Sequence, residues 1–524
     1  MSALQLATAL FPVLSILLLL ALLQLSARLA MCIGLLGTAL LAVLVWQMPW
    51  LQLAAAVLEG WLIALSVLWI VFGAMLLLHQ LQLQGRFELI RQSFCQLTPD
   101  PRKQLLLVGF LLVAFLEGVA GFGTPAAIAA PLLISLGFQP LAAVILALIA
   151  DSVPVSFGAI GTPVLVGIAQ GMDAPLAVNA IAVQAAAIDL LAAPLIPVYM
   201  LALYCRCFSA EKSWRYFWPA LPWALACGVL YAFSAWLAAR TLGPEFPTVL
   251  ASFSTMLLLA LAFKTGQPKH NTSNTTSRQL LTAWLPYLCL ISLLIASRLP
   301  ELPLKNWLQS YQWQFDTILG TAISTSLQPL YLPGTLFVLT VLVFLPKNRA
   351  ALPQFATLGW QSLQKIGPAA LTLATAVPMV RIFIHSDQNL AGLPAMPLYL
   401  ADWAAAHLQQ LWLWCAPVLG ALGSFIAGSA TFSNLMFAQL QLGIAQQAGL
   451  EANLVLALQM LGANAGNMIC VVNIVAACAV VKLQQQEGKI LRYTLLPMLL
   501  YTALVGMVAQ HQSPLAALSL STQF

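Results

Sequence analysis

From Leu6 to Met507 the chain repeats one pattern: a long apolar run, a short polar or glycine- and proline-rich interruption, then another apolar run. About 20 apolar residues in helical geometry cover the roughly 30 Å of hydrocarbon in a bilayer, so the runs predict roughly 11 to 14 hydrophobic helical segments. The longest polar stretches, Lys264–Arg278 and Gln82–Lys103, read as loops between them. The opening run, Met1–Leu25, has no basic residue ahead of its apolar part, which predicts a retained first span rather than a cleaved signal peptide.

One tract departs from the pattern. Leu116–Val164 is apolar but is interrupted twice by Gly, Pro, Thr and Ser, with a carboxylate in each interruption, Glu117 and Asp151. Lipid offers no partner to a freed amide or carbonyl, so a broken helix at membrane depth has to line a cavity walled by protein. Paired broken helices are the way transporters build binding sites near the bilayer midplane.

A second tract aligns with the first. Phe115-Leu-Glu-Gly-Val-Ala-Gly-Phe-Gly-Thr124 matches Phe425-Ile-Ala-Gly-Ser-Ala-Thr-Phe-Ser-Asn434, with Phe115, Gly118, Ala120 and Phe122 recurring as Phe425, Gly428, Ala430 and Phe432. A further break follows each, at Asp151–Gly161 and at Gly462–Met468. The alternative is coincidence, since small residues are common in transmembrane helices. The expectation is one integral-membrane unit over 1–524 containing two repeats, about 104–205 and 411–482. The first follows the basic loop Arg86–Lys103. The second follows Lys347–Lys365 and one outward span, so the copies are expected to be inverted, provided Leu398–His407 does not cross fully.

Composition acts by exclusion. Hydrophobic residues make up 61% of the chain, charged residues 7%, and the mean hydropathy is +0.92; a soluble domain carries about 25% charged residues. The fold class expected is therefore an all-α polytopic membrane protein with broken or re-entrant helices. The net charge of +6 is informative through its distribution. Basic residues cluster at Arg86–Lys103, Arg206–Arg215, Lys264–Arg278, Lys347–Lys365 and Lys482–Arg492, which the positive-inside rule puts in the cytoplasm. Arg28 joins them, leaving both termini outside. The stretch Arg298–Gln328, with Trp307, Tyr311 and Trp313, reads as an external loop. There is no continuous basic surface for nucleic acid. The nine cysteines are scattered, with neither disulfide nor zinc spacing, and the sequons at Asn271 and Asn274 fall in a loop placed in the cytoplasm.

Candidate chemistry gathers at the breaks. Gly118, Gly121 and Gly123 free the backbone, and Pro125 suits the first turn of the next half-helix. Amides near Gly121, Gly123 and Thr124 would then face the cavity and favour an anion. The second copy offers Ser429, Thr431, Ser433 and Asn434, either as ligand contacts or as small polar residues packing helices, and the next break adds Asn464 and Asn467. Ionisable residues inside spans are functional candidates. Asp151 is the candidate for a coupling proton or cation. Glu117 shares that role or caps the broken ends. Glu59 and Asp189 are weaker candidates. Arg381, beside His385 and Asp387, is either an interfacial anchor or the counter-charge for an anion. No phosphate loop, zinc-protease or nucleophile-elbow pattern stands in a usable context. Transport would be secondary, with no cofactor, no metal and no enzymatic step.

These residues also carry a resemblance. Gly85-Arg-Phe-Glu-Leu-Ile-Arg91, Phe115–Pro125, Leu136-Gly-Phe-Gln-Pro-Leu141, Pro154-Val-Ser-Phe-Gly-Ala159 and Ala427–Phe437 resemble the bacterial L-lactate permease family. The resemblance covers most of the length. It implies a cytoplasmic-membrane symporter of the ion-transporter superfamily that moves lactate, or 2-hydroxy monocarboxylates such as glycolate, with a proton. It also implies a scaffold and a transport domain moving elevator-fashion, a scheme that a homodimer fits. Gly466-Asn-Met-Ile469 to Cys478 looks like a degraded form of the family's last motif, which has a lysine where Asn467 stands and polar or turn-forming residues at Cys470–Val472. An asparagine often stands where Asp151 is, and an acidic residue where Ala430 is. If that lysine neutralises the substrate, this chain has to supply the charge elsewhere, with Arg381 the obvious substitute. The expectation is a lactate permease. The alternative is a membrane sensor or transport-inactive relative that binds a small anion.

Overall fold

The computed structural model describes residues 2–19, 27–86, 88–90, 98–121, 124–172, 178–265, 277–298, 302–345, 351–483 and 486–520. Nearly all of this is helix. Among the described residues one strand pairing occurs, antiparallel between Trp313–Phe315 and Thr325–Leu327, within the polar stretch whose Trp307, Tyr311 and Trp313 are exposed.

Among the described residues, six helices are long and apolar enough to cross a bilayer: Trp50–Leu83, Val153–Gly171, Trp214–Thr241, Leu281–Arg298, Ala452–Cys478 and Glu487–Gln512. Two bent pairs add a span each, Val178–Ala192 with Leu195–Phe208 at 41° and Pro353–Gly367 with Ala370–Asp387 at 52°. Shorter apolar helices, such as Pro140–Ala150 and Trp412–Phe425, complete the set. The apolar runs of the sequence thus take the form of long helices, bent pairs and shorter apolar helices, with glycine and proline at several of the divisions. Met396–Leu408 has 13 residues, short of the roughly 20 that a crossing needs.

Burial sorts these helices. Val153–Gly171 is 83% buried and Ala452–Cys478 89%, against 39% for Trp214–Thr241 and 44% for Glu487–Gln512. The most interrupted helices lie innermost. The unbroken ones turn Val229, Phe233, Leu237, Leu495, Leu496 and Leu499 outward. In lipid that arrangement is required, since interruptions need protein around them.

Small residues set the close crossings. Trp412–Ala427 lies along Ala452–Asn467, with Gly462 against Pro417 and Gly466 against Ala421, leaving no space for a side chain at either glycine. Trp50–Leu83 lies along Ala351–Ile384, where a Cβ on Gly60 would meet the Pro378 backbone at 2.5 Å.

Candidate functional site

Each half of the chain brings two helix breaks to the interior. In the first half the Val113–Val119 helix ends at Ala120, Gly121 takes a left-handed φ of +60°, and a new helix starts at Thr124. Gly123 and the Thr124 side chain lie outside the described residues. Pro140–Ala150 then stops at Asp151, followed by a 3-10 turn over Val153–Phe157. Ala159, Ile160 and Gly161 come next, all left-handed, with φ of 41°, 54° and 72°. Left-handed geometry is costly for alanine and more so for β-branched isoleucine, and such strain collects at functional sites. In the second half Trp412–Ala427 ends at Gly428, φ +75°, and Ser429 caps Ala430–Ala448 by accepting from the Phe432 amide. Ala452–Asn467 ends in a turn before Val471–Val480 begins.

The breaks meet. One small cavity, about 20 Å³, is lined by Glu117 and, from the first half's second break, Val155, Gly158, Ala159 and Pro163. Gly428, Ser429, Ala430, Thr431 and Asn467 close it from the second half. A water needs about 10–15 Å³, so the cavity is closed down to roughly one water and is far too narrow for a hydroxy acid as it stands.

A chain of polar side chains backs this cavity. Asn473 Nδ2 donates to Asn467 Oδ1 at 2.8 Å. Asn467 Nδ2 donates to the Asp151 carbonyl at 2.9 Å and to Asp151 Oδ2 at 3.3 Å. The Asp151 carboxyl lies within hydrogen-bonding reach of the Glu117 carboxyl. Both carboxyls are buried, and Glu117 Oε2 and Asp151 Oδ1 each lack a donor among the described residues. Gly158 leaves room for the Glu117 carboxyl, because a Cβ there would displace Glu117 Oε1. Opposite stands the start of Ala430–Ala448. The amides of Ala430 and Thr431 are first-turn groups with no intrahelical acceptor, and the helix dipole adds partial positive charge.

Other expected site residues are placed elsewhere. Ser433 donates to the Gly420 carbonyl at 2.7 Å, and Asn434 to the Pro163 carbonyl at 3.1 Å. Gln459 donates to both side chains, at 3.1 and 3.4 Å, and accepts from Gln441, which accepts in turn from Trp412. Ser433 and Asn434 thus tie helices together and do not line the cavity. Asn464 donates to Ser156 Oγ. Arg381 is also absent from the cavity wall. Its guanidinium donates twice to Glu59, through Nε at 2.7 Å and through Nη2, and its Nη1 donates to the Gln170 carbonyl at 2.7 Å. His385 Nε2 sits 2.8 Å from Glu59 Oε2. The charge of Arg381 is spent on a carboxylate of this chain rather than offered to a ligand.

Sequence reading missed Val155, Gly158, Ala159 and Asn473. Gly158 and Gly161 bracket the left-handed turn and were its available signal; Asn473 was a lone amide in an apolar helix. The Glu59–Arg381 pair was foreseeable on one ground: two opposite charges, each alone in an apolar span, are best buried together.

Curated relatives run the length of the molecule. The L-lactate permease of Escherichia coli K12 is 30% identical over 515 residues, covering 90% of this chain and 89% of its own. The glycolate permease of the same organism is 29% identical, covering 96% and 95%. The L-lactate permease of Bacillus subtilis is 29% identical, covering 91% of each. The family profile described as L-lactate permease matches residues 5–516. A polytopic helical protein with that match is a membrane transporter rather than an enzyme, and the chain belongs to the L-lactate permease family.

Proposed function

We propose that this chain imports lactate, or a related small 2-hydroxy monocarboxylate such as glycolate, together with a proton. The observation that carries this reading is one cavity in which the buried Glu117 carboxyl, backed by the buried carboxyl of Asp151, faces the start of Ala430–Ala448, with no cation on either carboxyl among the described residues. Relatives named for lactate and glycolate support the substrate class.

The electrostatics give the coupling. Two carboxylates in contact in a dry site repel, and burying unpaired charge is costly, so a proton held between them supplies the donor that Glu117 Oε2 and Asp151 Oδ1 lack. A substrate carboxylate at Ser429–Thr431 is repelled by an ionised Glu117 and tolerated by a protonated one. Proton and anion therefore favour each other's binding, and that coupling is reciprocal. The Thr431 hydroxyl, on the cavity wall, completes the hold on the carboxylate and the 2-hydroxyl. Asn467, at the position where the family resemblance puts a lysine, donates to Asp151, so the proton replaces a fixed cation. The protein works in the bacterial cytoplasmic membrane with both termini outside, as two inverted repeats moving against a scaffold, and a homodimer fits that motion.

The test is uptake of labelled L-lactate into proteoliposomes under an imposed inward proton gradient, with counterflow against a panel of 2-hydroxy acids, other short carboxylates and inorganic anions. Accumulation above equilibrium is expected. Flux that stops at equilibrium would mean a passive channel. Binding without accumulation would favour a sensor, a reading that the closed cavity and Asn467 keep in play.

A further inference from the structure

A second, much larger hollow of about 710 Å³ opens beside the inner cavity, its polar wall carrying Arg240, Glu245, Arg298, Lys305, Tyr331 and Asn453. Its charges do not cancel. Arg298 Nε donates to Glu245 Oε1 at 2.8 Å, and its guanidinium lies 3.7 Å from the centroid of the Tyr331 ring, so this pair is closed on itself. Arg240 rests on the Trp236 ring at 5.5 Å and faces no carboxylate among the described residues. Lys305 has no ion pair there either. Two positive charges are left facing one space.

The hollow and the inner cavity share a wall. Leu165 lines the hollow and Pro163 lines the cavity, two residues apart on one turn. The Pro244–Glu245 turn at the floor of the hollow presses on Gly161, where a Cβ would meet the Pro244 carbonyl. Gly161 ends the left-handed turn whose Ala159 lines the inner cavity. The segment separating the two spaces is thus the strained stretch 158–165, braced from the outer side by a turn that the Glu245–Arg298 pair holds.

Resting on the permease reading above, we propose that this hollow is a second, outer carboxylate site. Lys305 and Arg240 take up the small monocarboxylate there, and the 158–165 segment then opens to pass it to the inner cavity. A cleft of one sign with low-dielectric walls raises the local concentration of counter-ions and speeds their arrival. The hollow is roomy and cationic; the inner cavity is small and has no lysine or arginine on its wall among the described residues. Capture and translocation are divided between them.

The test uses the full chain in proteoliposomes with labelled L-lactate as probe. Lys305→Gln with Arg240→Gln is expected to raise KM by roughly three- to tenfold with the maximal rate kept. The same variant should lose most of the decline in uptake that added salt causes in the parent, since such attraction is screened over about 8 Å at physiological ionic strength. Lys305→Arg should restore both. An unchanged KM and salt response in the double variant would overturn the proposal, as would a fall in maximal rate at unchanged KM. Failure of the parent chain to transport any monocarboxylate would strike the permease reading itself, so the two failures are separable.

Discussion

Gly158 and Glu117 occupy one another's space. The carboxyl of Glu117 lies where a Cβ on residue 158 would be, so Gly158→Ala has to push the carboxyl away from Asp151 or unbend the turn. Lactate uptake by that variant should fall at least tenfold, with membrane expression retained; near-normal gradient-driven uptake would remove Glu117 from the mechanism. Asp151→Asn and Glu117→Gln keep shape and remove a titratable group. Each is expected to abolish accumulation driven by a proton gradient while leaving some exchange of labelled for unlabelled lactate. Still gradient-driven uptake in Asp151→Asn would take that residue out of the coupling. Both carboxylates were legible from sequence, since a charge alone in an apolar tract is a functional signal. Asn467, which donates to Asp151, and Asn473, which donates to Asn467, were not legible as partners. The link from Asn467 to Asp151 spans 316 positions, and no local pattern encodes which distant helix a side chain meets.

Helix ends carry the chemistry at the next scale. Gly428 ends one helix in left-handed geometry and Ser429 caps the next, which puts the first-turn residues Ala430 and Thr431 on the cavity wall. Ser429→Ala loses a cap worth about 1 kcal/mol and should raise KM for lactate about fivefold, that energy expressed as affinity; an unchanged KM would mean that this helix start does not hold the anion. The crossing of Trp50–Leu83 with Ala351–Ile384 is a matter of stability instead. Arg381→Met leaves the buried Glu59 with His385 but without its guanidinium partner; breaking a buried ion pair typically costs about 3–5 kcal/mol. Thermal unfolding in detergent should show a large drop for that variant, partly recovered in the double variant Glu59→Gln with Arg381→Met. No recovery would mean that the loss comes from the Arg381 bond to the Gln170 carbonyl. The breaks at Gly121 and Gly428 were readable because glycine clusters in an apolar run have few other uses. The left-handed turn at Ala159–Gly161 was not, because two of its three residues are ordinary in a helix.

The breaks that line the cavity lie on the most buried helices, Val153–Gly171 and Ala452–Cys478, while Trp214–Thr241 and Glu487–Gln512 turn apolar side chains outward. The proposed proton coupling requires the apparent KM for lactate to fall as the medium on the loading side is acidified, measured at constant lactate anion; a flat profile would argue against proton-linked binding. Apolar periodicity and charge sparsity were sufficient to determine a helical membrane protein and its breaks, while the family resemblance rested on short motifs such as Phe115–Pro125 and Ala427–Phe437. These are local or compositional properties, written wherever a bilayer excludes water from the backbone. Which polar groups share the cavity was decided only by tertiary structure. Ser433, Asn434 and Arg381 look like ligand residues along the chain, yet packing supplies each with a partner from another helix. Glu117, Gly158, Thr431 and Asn467 converge only because four breaks, far apart in sequence, are folded to one point, and a buried charge or amide takes its role from what lies across that space.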